Sequence, residues 1–126
     1  MPSASAYVYA NTAPLIGKSG NIANNTATAT LTGSSTTTVY LAGFEITASG
    51  ATGALVVSPT VTGVLGGTLT YTFTFPAGAT VAAQPLIVTF DPPLPASAVN
   101  QAIAVVCPAS GTGGTNCTVV AHGFHA

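Results

Sequence analysis

The sequence predicts an all-β fold: a β-sandwich, immunoglobulin-like or jelly-roll-like, of about seven strands with an extended N-terminal arm. Three observations predict it. Apolar residues form 48% of the 126 residues, enough to fill one core of ordinary domain size. No stretch keeps a 3.6-residue apolar period, whereas alternation with period two recurs along the chain. Breakers then punctuate it at short intervals: Gly66-Gly67, Pro76-Ala77-Gly78, Asp91-Pro92-Pro93 and Gly111-Thr112-Gly113-Gly114. Short alternating strands between frequent turns are the pattern of a sandwich.

In chain order, residues 1–25 read as the arm. They are rich in Pro, Asn, Ser and Gly, and their apolar residues fall in two knots, Tyr7-Val8-Tyr9 and Leu15-Ile16. Tyr7, Tyr9, Leu15 and Ile16 are the candidate assembly residues of that arm, which could clamp a neighbouring subunit. The sandwich is then expected over residues 26–126. Residues 26–32 form a Thr/Ala strand. Residues 36–47 form a long one whose register changes midway: Val39 and Leu41 share one parity, Phe44 and Ile46 the other. Ala42-Gly43 lies between them, which predicts a β-bulge or a crossing between sheets. Residues 54–62 follow, with Pro59 marking an edge or bulged strand. Thr68-Leu69-Thr70-Tyr71-Thr72-Phe73-Thr74-Phe75 is the clearest alternation, with four apolar side chains on one face and four threonines on the other. Residues 85–90, 98–107 and 116–124 complete the set.

Charge is the outlier of the composition. Only Lys18, Glu45 and Asp91 are charged, 2% of the chain and a net charge of -1, where roughly 25% is ordinary. A dispersed monomer usually keeps a mixed charged surface. Neutral hydroxyls, glycines and methyl groups suit a protein packed against neighbours. One lysine cannot neutralise phosphates, so nucleic acid and anionic membrane surfaces are excluded as partners. No segment approaches the ~20 apolar residues of a membrane span. The start, Met1-Pro2-Ser3-Ala4-Ser5, lacks a signal peptide's basic region and apolar core, so use without export is expected.

Catalysis has little to work with. A nucleophile needs a base and the base an orienting partner. The only acids are Glu45, whose parity puts it on the face opposite Phe44, and Asp91, in what reads as a turn. No cofactor motif is present, so the chain is expected not to be an enzyme. His122 and His125 are too few for a metal site, which takes three or four ligands. Cys107 and Cys117 flank a loop between consecutive strands. They form either a disulfide across a hairpin or two buried free thiols, and geometry decides.

Several stretches also resemble small proteins encoded among the structural genes of tailed bacteriophages. They are Tyr40-Leu41-Ala42-Gly43-Phe44-Glu45-Ile46-Thr47, Val61-Thr62-Gly63-Val64-Leu65-Gly66-Gly67-Thr68-Leu69-Thr70-Tyr71 and Phe75-Pro76-Ala77-Gly78. The run from Pro85-Leu86-Ile87-Val88 to Pro95-Ala96-Ser97-Ala98 and the closing Ala121-His122-Gly123-Phe124 belong to the same pattern. The likeness spans residues 36–126. It implies a virion protein of the head-decoration or accessory type, made in the host cytoplasm and placed on the capsid exterior. Its implied partners are the major capsid protein and copies of itself, as a trimer or other closed homo-oligomer. The rival reading is a binding module, an adhesin or carbohydrate-recognition domain on a fibre or cell surface. Against it stands the lack of any Trp for a sugar platform.

Overall fold

The structure is a computed structural model that describes residues 13–109 and 116–126, and these form strands and turns with no helix among them. The strands are β1 (Pro14–Lys18), β2 (Ile22–Ala23), β3 (Ala27–Leu31), β4 (Val39–Ser49), β5 (Leu55–Val57), β6 (Thr60–Thr62), β7 (Leu69–Thr70), β8 (Phe73–Phe75), β9 (Leu86–Pro95), β10 (Ile103–Cys107) and β11 (Asn116–His125). One sheet runs β1-β11-β4-β9 with β2 also on β11; the other runs β3-β10-β6-β7; β5 and β8 pair by themselves. All pairings are antiparallel.

The winding settles which sandwich this is. Pairs nest inside one another: β6 with β7, β5 with β8, β4 with β9, β3 with β10, and β1 with β11. A single long hairpin is thus coiled on itself, so that successive strands pass between sheets. That is the jelly-roll arrangement rather than the immunoglobulin one. Gly66 and Gly67, both at positive φ, make the tip of the innermost hairpin, where Gly67 N–H donates to Val64 O at 3.2 Å.

The alternation read from the sequence is what builds the core. Ala27, Ala29 and Leu31 of β3, Ile103, Val105 and Cys107 of β10, and Val61 of β6 face inward from one sheet. Val39, Leu41, Phe44, Ile46 and Ala48 of β4 and Cys117, Val119 and Ala121 of β11 answer from the other. The Phe44 ring is the hub, edge-on to Tyr71 at 5.4 Å and tilted against Phe90 at 6.4 Å. The parity change expected at Ala42-Gly43 is a bulge: β4 shifts register between Leu41 and Gly43 against β9 and opposite His122/Gly123 of β11.

Four expectations change. Residues 54–62 and 68–75 remain one in-register hairpin, Val57 opposite Phe73 and Thr60 opposite Thr70. It is interrupted at Pro59, which accepts from Tyr71 N–H at 2.8 Å but has no N–H to return. Asp91-Pro92-Pro93 does not reverse the chain; it lies within β9, where that strand bulges away from β4 between Thr89 and Leu94. Cys107 and Cys117 do not face across a hairpin, because β10 and β11 belong to opposite sheets. Finally, the boundary drawn at residue 25 moves towards the N-terminus. Residues 14–23 hydrogen-bond along β11 as part of the sheet. Gly17 allows this, since a Cβ there would lie 2.5 Å from the Thr30 carbonyl oxygen of β3. Bare backbone lets β1 close against the edge of the opposite sheet.

Candidate assembly surface

The outward face of the β1-β11-β4-β9 sheet carries the features that the core does not explain. Register places its side chains in cross-strand rows. Lys18, Val120, Glu45 and Ile87 form one, while Ile16, His122, Gly43 and Thr89 form the next. Pro14, Phe124, Tyr40 and Pro95 form a third, in which the Tyr40 and Phe124 rings stack at 5.2 Å and 6°. Towards the other end stand Thr118 opposite Thr47 and Asn116 opposite Ser49.

Two of the chain's three charged side chains therefore share one row. Glu45 Oε1 accepts a hydrogen bond from His122 Nε2 at 2.7 Å, a diagonal contact between neighbouring strands. Both side chains are more than a third exposed, so the pair adds little stability. Ile16 (59% exposed) and Ile87 (70%) mark the two edges of the face. Gly43 is demanded by β9: a Cβ would stand 2.7 Å from the Val88 carbonyl oxygen.

The candidate assembly residues separate here. Leu15 turns inward and packs on the core, and Ile16 points out. Tyr7 and Tyr9 lie outside the described residues. Sequence reasoning put Glu45 opposite Phe44, and that parity holds. The pairing of Glu45 with His122, 77 positions apart, had no local signal. His125 at the strand end is instead bonded through Nδ1 to Thr37 Oγ1 at 3.0 Å.

The cysteines are both buried and unbridged, inward-facing from opposite sheets. Hydrogen bonding to Cys117 pushes the Cys107 thiol far up, with burial and the neighbouring sulfur adding to it, and the same interaction lowers Cys117, with burial opposing. Cys107 Sγ also lies 3.8 Å from the Pro108 carbonyl oxygen.

No group of three His, Cys, Asp or Glu side chains able to hold a metal forms among the described residues. Shallow, open depressions mark the surface of the described residues. One, of about 320 Å³, is lined by Asn21, Thr47, Ser49, Ala82, Asn116 and Thr118 and contains no aromatic ring. Another, about 240 Å³, lies against Phe73 and Leu86.

No protein-family model matches the chain, and no curated protein matches it. Among solved structures it is similar to a GH26-CBM35 β-(1,4)-mannanase of Podospora anserina, at 14% identity and a TM-score of 0.39. That match covers 90% of this chain but only 28% of the mannanase chain. It is also similar to the virus-like particle of the extra small virus of the giant freshwater prawn Macrobrachium rosenbergii. There the identity is 12% and the TM-score 0.33, over 90% of this chain and 77% of that one. Both likenesses are slight, and the functional reading rests on the surface itself.

Proposed function

We propose that this chain is a non-enzymatic structural protein of a virus particle, of the kind that decorates or reinforces a bacteriophage capsid lattice. The observation that carries the reading is the surface. Only three side chains of 126 are charged, while Ile16, Val56, Leu65, Ile87 and Val99 are each more than half exposed. A protein so poor in charge has almost no electrostatic repulsion between copies, and its apolar side chains gain by being covered. Nested jelly-roll winding supports the same reading by analogy of fold, since viral capsid domains use it, as do lectins. The resemblance of residues 36–126 to phage structural proteins supports it from the sequence.

In this reading the partners are the major capsid protein and further copies of this chain on the capsid exterior, after synthesis in the host cytoplasm. Many weak contacts repeated over a lattice replace one strong contact. Ile16 extends the contact surface on the N-terminal side and Leu15 anchors its strand in the core, while Tyr7 and Tyr9 are the further residues this reading assigns to contact with a neighbour. The test is co-sedimentation of the purified chain with capsid shells lacking it. Binding that saturates at a fixed copy number per shell, and drops at least tenfold when residues 1–12 are removed, is the expected result. A chain that stays in the supernatant at every concentration would refute the reading.

A further inference from the structure

We propose that the outward face of the β1-β11-β4-β9 sheet is a homotypic interface, built so that Lys18 of one copy meets Glu45 of a second copy about a twofold axis along β11. This goes beyond the capsid reading and does not depend on it.

The argument starts from the scarcity of charge. Two of three charged side chains stand in a single cross-strand row, one on each side of Val120. Covering this face with a neutral surface would strip water from Lys18 without compensation and leave Glu45 only its bond to His122. A cover must therefore present an anion to Lys18 and a cation to Glu45, at the spacing of two strands, about 10 Å. The rest of this chain offers only Asp91 besides these two. The same face of a second copy offers both, in reversed order.

Register makes the reversal work. The strands run β1, β11, β4 across this part of the sheet. A twofold axis along β11 carries β1 of one copy over β4 of the other. Lys18 then lies over Glu45 twice per pair, related by symmetry. In the neighbouring row, Ile16 lies over Gly43, a position with no side chain, and in the next Pro14 lies over Tyr40. The exposed Ile87 extends over the β1 edge, against the aliphatic stem of Lys18. Sheets packed this way sit about 10 Å apart and within about 30° of parallel, the aligned geometry of sandwiches.

Size sets the strength. The three overlapping strands, of about five residues each, project roughly 17 by 14 Å. That is well under the ~800 Å² per partner of a standard interface, so the pair is weak in isolation and counts mainly where copies are concentrated.

The experiment is sedimentation equilibrium of the full chain over a concentration series at low and high salt, with four samples. They are the parent chain, the Lys18→Glu and Glu45→Lys variants separately, and an equimolar mixture of the two variants. The parent is expected to show a monomer–dimer equilibrium that weakens as salt rises. Each variant alone places two like-charge pairs in the interface and loses at least tenfold in association. The mixture restores it, because every contact in the mixed pair joins Glu to Lys. Only a contact between chains gives that rescue; a loss confined to the internal Glu45–His122 bond would persist in the mixture. A parent monomeric to about millimolar concentration, or variants that associate as well as the parent, would overturn the proposal. So would dimers of the parent with no rescue. Removal of residues 1–12 is the control for occupancy: a monomer that dimerises only after their removal would assign the face to that segment instead and overturn the proposal. Shell co-sedimentation is read separately, so a failed dimer and a failed capsid reading are distinguishable.

Discussion

Oxidising the Cys107–Cys117 pair is the sharpest test of the sandwich geometry. Both thiols point into the core, Cys107 from β10 and Cys117 from β11 of the opposite sheet, and each shifts the other's ionisation. With oxidised glutathione as oxidant, the lowered Cys117 supplies the attacking thiolate, forms a mixed disulfide and releases one glutathione. Cys107 then displaces the second glutathione, closing the bond with the loss of two hydrogens from the protein. The closed loop runs from residue 107 to 117, so loop-closure entropy predicts a stabilisation of about 2.7 kcal/mol at 25 °C. For a chain of this length, that is an upward shift in Tm of about 10 °C. Thiol titration and intact mass give the extent of oxidation; calorimetry of oxidised and reduced samples gives the shift. The Cys107→Ser/Cys117→Ser variant should show no response to oxidant. A fully oxidised chain that melts at or below the reduced one would refute the reasoning, because the bond would then be distorting the packing between sheets.

Two further outcomes follow from the core. Phe44→Ala should cost about 4 kcal/mol, the cavity left by a buried ring plus its edge contact with Tyr71. Ile87→Ala, on the exposed face, should stay within about 0.5 kcal/mol, and urea titration compares the two. On the alkaline side, the Cys107 thiol and the Tyr71 hydroxyl are both held above their ordinary values, the first by its hydrogen bond to Cys117 and then by burial, the second by burial. The folded state thus keeps protons that the unfolded chain releases, so this contribution is fully present below the ordinary thiol value and is lost as pH rises above it. Reduced protein should lose stability from about pH 9 upward, and Tyr71→Phe combined with Cys107→Ser should flatten the loss in urea titrations at several pH values.

What could be read from the sequence depended on how local its cause is. The Val39/Leu41 against Phe44/Ile46 parity change predicted the β4 bulge because a one-residue insertion inverts every later side chain. The same logic placed Glu45 outward. Pairing between distant strands carries no such signature. Nothing near Lys18 indicates that it shares a row with Glu45, since β11, from the far end of the chain, lies between them. The N-terminal segment misled for a related reason. Leu15-Ile16 is a knot too short to read as a strand, and only the β11 edge supplies partners for it. The β10–β11 sequence pair resembled a hairpin because hairpins join neighbours most often. The nested winding sends those two strands to opposite sheets, and that converted a cross-strand cysteine pair into one spanning the core.

That winding also explains how so few charges can be placed to such effect. In a half-buried strand one parity belongs to the core and the other is free. In β4 the inward set Val39, Leu41, Phe44, Ile46 and Ala48 fixes the fold. Of the outward set, Tyr40 stacks on Phe124, while Glu45 and Thr47 contribute little to stability and are available for contact. Substitutions at Lys18, Glu45 or Ile16 therefore alter what the face meets and leave the packing between sheets intact. With Val120 as the strand between them, Lys18 and Glu45 give an otherwise neutral face a direction across the sheet. A neutral face can stack on a copy in any register, and only a directional one selects a single arrangement. On a particle built from repeated copies, that selection is what separates an ordered contact from aggregation through exposed Ile16 and Ile87.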